Sequence, residues 1–207
     1  MTTAPTTPTT APASSPAPTP TSATGSASAT VAAGPGPAPD GERAELLRVL
    51  GEQRATLLIA LRGLTDDQAA QRSTVSELTL GGIVKHLAQG ERVWTQLMSE
   101  RRGNTPDGMW DMGQYQMNAG ESLSALRDAY AAATAATDAA VANLPTLDVP
   151  VPLPPVPWDP QATPETWSAR LVLLQLLRET AQHAGHADII RESLDGANTT
   201  AQLGDAA

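Results

Sequence analysis

Apolar residues recur at helical spacing in four stretches of the chain. In the first, Leu46, Leu50, Leu57, Leu61 and Leu64 follow one another at intervals of 4, 7, 4 and 3 residues, the stripe of an amphipathic helix. Asp40 precedes it as a candidate N-cap. Thr65-Asp66-Asp67-Gln68 has the form of a capping box and predicts a short helical turn. The second stretch, from about Thr79, places Ile83, Leu87, Gly90, Trp94 and Leu97 on one side, with His86 at its border. In the third, Leu123, Leu126, Tyr130, Ala133, Val141 and Leu144 keep the period, and Thr137 is the one aliphatic hydroxyl on that side. The fourth follows a proline-rich connection that cannot be helical. Thr163-Pro164 reads as its N-cap and first position, and Gly196 as its stop.

No segment alternates with period two over strand length, so the pattern predicts an all-α fold, a four-helix bundle over residues 41–196. Residues 1–40 are almost entirely Thr, Ala, Pro, Ser and Gly. Such a segment has too little apolar surface to offset its ordering entropy, which predicts a disordered tail. A second, short tail is expected over residues 197–207.

The fourth stripe is apolar at both ends and ionisable in the middle. On a wheel of 100° per residue, Val172, Leu176, Glu179, His183, His186 and Ile190 fall within roughly 80° of one another. Ionisable groups on a core-facing stripe each cost several kcal/mol, on the order of a lost buried partner, unless something compensates them. A metal ion is one compensator and a hydrogen-bond network is the other. His86, Glu179 and His183 converge if the second and fourth helices pack together. Two neutral imidazoles and a carboxylate suit zinc, nickel or ferrous iron and leave a coordination position open. The competing reading makes these ordinary partly buried histidines and pairs Glu179 with an arginine. Against it stands the coincidence that all three histidines of the chain take core-side positions on two helices.

Charge and composition narrow the chemistry. A net charge of −9 with a single lysine, Lys85, argues against nucleic acid as a partner, because that needs a basic footprint. The chain has no cysteine, so any thiol chemistry must use a thiol supplied by a ligand. No apolar run reaches the length of a membrane span and the N-terminus lacks the pattern of a secretory signal, which makes the cytoplasm the expected location. Trp94, Trp110, Trp158 and Trp167 either belong to the core or line a pocket for an apolar molecule.

SELTLGGIVKHLAQGERVW and ETAQHAGHADIIRE together resemble the DinB/YfiT-like family of metalloenzymes, above all its actinobacterial members related to mycothiol-dependent enzymes. The resemblance covers nearly all of residues 41–196. It implies a four-helix bundle in up-down-down-up order with a divalent metal between a histidine of the second helix and an H-x-x-x-H pair of the last. Residue by residue, the ligands fall on His86, Glu179 and His183. Glu179 stands where the first histidine of the pair is usual, as it does in the family's maleylpyruvate isomerases. His186 falls where the family's H-R-G-Q stretch has Gln, in a place to serve as general base or to orient a metal-bound group.

The implied function is a metal-dependent thiol S-transferase that takes a low-molecular-weight thiol, mycothiol, and a small electrophile as its partners. A non-enzymatic metal or small-molecule binding protein and a thiol-dependent isomerase are the alternatives, and a homodimer is left open.

Overall fold

The computed structural model describes residues 39–204 apart from 160. The N-terminal tail expected over residues 1–40 thus lies almost wholly outside the described residues. The described chain is all-α apart from one small hairpin. Helix α1 spans Pro39–Ala60, α2 Asp66–Ala70, α3 Leu80–Glu100, α4 Leu123–Ala142, α5 Ala169–Asp195 and α6 Thr199–Gly204. The four long helices form the bundle, with α1 against α5 and α3 against both α4 and α5.

The helix boundaries follow from local chemistry. Thr65 accepts from the Gln68 amide while the Gln68 side chain accepts from the Thr65 amide, closing the capping box of α2. Thr79 caps α3 by accepting from Gly82. Gly196, at φ 81°, ends α5 in the left-handed conformation that glycine enters without steric penalty. The leucine stripe of α1 is buried at Leu50, Leu57 and Leu61, and α4 buries Leu123, Leu126, Tyr130, Thr137 and Val141.

The structure departs from the sequence reading in four places. Helix α1 runs from Pro39, so Asp40 is inside the first turn rather than at the cap. Residues Pro150–Pro152 form a strand antiparallel to Thr166–Ser168. Its prolines are tolerated because each strand of a two-stranded ribbon is an edge, and Val151 between them is fully buried. That pairing, extended by Leu153 N–H to the Glu165 carbonyl at 2.9 Å, commits residues 165–168 to extended backbone. Helix α5 therefore starts not at Thr163-Pro164 but after Ser168, whose hydroxyl accepts from Leu171 N–H. Last, residues 199–204 form a short helix where a tail was expected, tied back by Thr199 N–H to Asp188 Oδ1 at 2.6 Å.

Three charged residues among those described are buried in the bundle: Arg191, which donates to the Ala60 and Arg62 carbonyls, and the pair Arg54 and Glu91. Arg54 of α1 makes a bidentate pair with Glu91 of α3 at 2.7 and 2.8 Å and reaches Asp138 of α4 at 2.8 Å. Thr137 donates to the same Glu91 carboxylate. With every strong polar atom of the pair engaged, three helices are tied at one level, and burial of the ions is compensated.

Candidate metal centre

Helix α3 delivers His86 and helix α5 delivers Glu179 and His183 to one point beside this buried pair. Glu179 and His183 are four residues apart and so lie one above the other on α5. One candidate ligand atom from each of the three residues lies within 4.8 Å of the other two. Their side chains are only 12 to 27% exposed. All three expected residues are brought together, and His186 adjoins them on the next turn of α5.

The orientation of the rings is the decisive detail. His86 turns Nδ1 to the Gln114 amide oxygen at 3.2 Å and Nε2 toward Glu179 Oε2 at 3.7 Å. His183 does the same, with Nδ1 3.5 Å from Nδ1 of His186 and Nε2 3.8 Å from that same Glu179 oxygen. An amide oxygen accepts only, so Nδ1 of His86 is the donor of that pair, and in the neutral ring this leaves Nε2 as the lone-pair nitrogen turned toward Glu179. Glu179 divides its oxygens in the same manner: Oε1 accepts from Gln175 at 3.0 Å and from Arg178 at 3.2 Å, leaving Oε2 to face the imidazoles. Burial, with the neighbouring His86, lowers the pKa of His183 to about 4, which holds it in the neutral form that coordinates metals.

Gln114 and Tyr115 come from the 3-10 turn Met112–Tyr115 between α3 and α4. Tyr115 stacks on His86 with ring centroids 4.6 Å apart. The turn approaches α3 so closely that a Cβ on Gly82 would lie 2.3 Å from the Tyr115 carbonyl oxygen, and one on Gly81 2.5 Å from the Met117 sulfur. This explains two glycines in the first turn of a helix, where each costs roughly 0.5–1 kcal/mol relative to alanine. Periodicity does not find Gln114 or Tyr115, since they lie in a loop. Gly82 at the start of α3 is the trace that Tyr115 leaves in the sequence, and Gly81 that of Met117 just beyond the turn. Arg54 and Glu91 leave a different trace, as charges on otherwise apolar stripes.

A cavity of about 250 Å³ opens beside the cluster and is lined by His86, Glu179, Glu91, Trp94, Met109 and Trp110 among others. His186 does not line it. It borders a separate cavity of about 290 Å³ with Val75 and Ile189.

An all-α bundle whose helices bring two imidazoles and a carboxylate to one part-buried point has the form of the DinB-like class. Within that class, the mycothiol-S-transferase family model matches residues 45–196, and the chain belongs to this family. A comparison with curated proteins gives no match. Among the described residues no helix is long and apolar enough to cross a membrane.

Proposed function

We propose that the chain is a divalent-metal-dependent mycothiol S-transferase, with His86, Glu179 and His183 as the ligands. The observation that carries this reading is the convergence of two imidazole Nε2 atoms on one carboxylate oxygen at 3.7 and 3.8 Å. These separations exceed a hydrogen bond. With the ring protons on the two Nδ1 atoms, three electron-rich atoms face one another at that spacing, an arrangement that a divalent cation among them would relieve, and two nitrogens with one oxygen are a donor set that zinc accepts.

When bound, the ion supplies a thiolate at neutral pH, where a free thiol of pKa ~8.5 is only a few per cent ionised. The chain's own residues do the rest. Gln114 and His186 fix the tautomers and orientations of the two histidines. Tyr115 covers the outer face of the His86 ring. The Trp94, Met109 and Trp110 wall orients the electrophile and limits water, which offsets the lower nucleophilicity of a metal-held sulfur. His186, whose Nδ1 faces His183, is a positioning residue.

The test is turnover of mycothiol with an electrophile by chelator-stripped protein and by the same protein reloaded with zinc, nickel or ferrous iron. Activity should appear only on reloading. Equal rates from stripped and reloaded protein would refute metal dependence. Tight ion binding without turnover of any thiol would indicate a binding protein instead.

A further inference from the structure

All four tryptophans of the chain gather at one place. Trp94 stacks on Trp167 with centroids 5.1 Å apart and planes 8° apart. Trp110 meets Trp158 edge to face at 5.0 Å. The strand register sets the first pair, because Trp167 is paired with Val151 in the hairpin. The sequence has no phenylalanine, yet none of its tryptophans is fully buried; Trp110 is 36% and Trp158 73% exposed. The indoles pack only partly on the core and leave faces open to a cavity.

That cavity has a volume of about 310 Å³, and its walls include Trp94, Met109, Trp110, Trp167, Pro154 and Glu165. Trp94, Met109 and Trp110 also line the cavity that holds His86 and Glu179. A molecule lodged among the indoles therefore lies one side chain away from the candidate metal centre. Its size suits a small ligand. Among the described lining residues Glu165, which accepts from Trp167 Nε1–H at 2.9 Å, is the one that carries a charge, and none of them is a lysine or arginine. The walls thus offer aromatic faces and an adaptable thioether but nothing to compensate an anion.

We infer that this tryptophan-walled cavity is the electrophile subsite and that it selects flat, neutral aromatic electrophiles over anionic ones. The inference rests on the transferase reading above. With a halogenated nitroaromatic the thiol sulfur forms a bond to the ring carbon, the carbon–halogen bond breaks, and halide leaves with the bonding pair. The thiol proton passes to solvent.

The experiment compares chlorodinitrobenzene with its carboxylate-bearing counterpart, chlorodinitrobenzoate, on the metal-loaded full chain with mycothiol, each corrected for its uncatalysed rate. The neutral compound should be favoured at least about tenfold in kcat/KM. Trp110→Ala should raise KM for the neutral compound about tenfold or more and leave zinc affinity unchanged. Glu165→Gln should narrow the neutral-over-anion preference. Turnover with no preference, or with KM unmoved in Trp110→Ala, overturns the subsite while leaving the transferase reading intact. Dinitrobenzene, which has no leaving group, supplies a readout free of turnover. It should quench indole fluorescence saturably in the wild type and at least about tenfold more weakly in Trp110→Ala. If no electrophile is turned over but this difference persists, the subsite stands and the transferase reading falls. Equal quenching in both proteins overturns the subsite.

Discussion

His186 Nδ1 lies 3.5 Å from His183 Nδ1, three residues back on α5. One of these nitrogens donates to the other, and the donor must be His183 if its Nε2 is to be a ligand, so His186 holds the tautomer rather than the ion. His186→Gln keeps an acceptor near the same place. It should retain near-full metal content and lower turnover by about 10- to 100-fold, the usual effect of such a partner. Metal analysis beside steady-state kinetics checks this. Loss of metal as complete as in His183→Ala would make His186 a ligand.

The depressed pKa of His183, about 4, has a consequence for the metal-free protein. The folded value lies below the ordinary value of ~6.5, so the unfolded chain binds more protons between these limits. Stability is therefore full above pH ~6.5 and declines as pH falls toward 4, by up to about 3 kcal/mol from this group. Urea titrations of wild type and His183→Ala across that window should show the slope in the former and a flatter profile in the latter. NMR should find the His183 ring neutral at pH 5.5.

Glycines in the helices separate by what surrounds them. Gly82→Ala drives a methyl against the Tyr115 carbonyl, and overpacking of this kind costs about 1–3 kcal/mol. Because Gln114 and Tyr115 move with that backbone, zinc affinity should fall too. Gly185, mid-helix in α5 with nothing within 4 Å of an added Cβ, is the opposite case. Gly185→Ala should stabilise by roughly 0.5–1 kcal/mol. Thermal melts and zinc titrations of both variants test the contrast.

The Arg54–Glu91 pair gives a third stability prediction. Arg54→Ala strands the Glu91 carboxylate in the bundle, at a cost of about 3–5 kcal/mol. Equilibrium unfolding in urea should register it, whereas Arg48→Ala, which removes an exposed helix pair with Glu52, should change stability by less than about 1 kcal/mol.

Much of this was legible in the sequence because helices write their contacts at fixed intervals. The stripe on α5 placed Glu179 and His183 together, and His86 bordered the stripe of α3, so the cluster followed from the packing of those two helices. What the intervals miss lies between helices. Gln114 and Tyr115 sit in an irregular segment whose approach is encoded only by the absence of side chains at Gly81 and Gly82. The hairpin was hidden because Pro150 and Pro152 read as breakers, although an edge ribbon tolerates them. Its consequence for the cavity, the placement of Trp167 against Trp94, was hidden with it. Arg54 and Glu91 stand on apolar stripes, and a pattern read only for its apolar members passes over them.

The central claim, that His86, Glu179 and His183 together hold one divalent ion, is tested most directly by calorimetric titration of zinc into the chelator-stripped full chain and its His183→Ala variant. The account predicts a single site, about one ion per chain, in the wild type, and an affinity at least about a hundredfold weaker in the variant, whose circular dichroism should stay that of a helical bundle. A folded wild-type protein that takes up no zinc, nickel or ferrous iron, or a His183→Ala variant that binds zinc as tightly as the wild type, would contradict it.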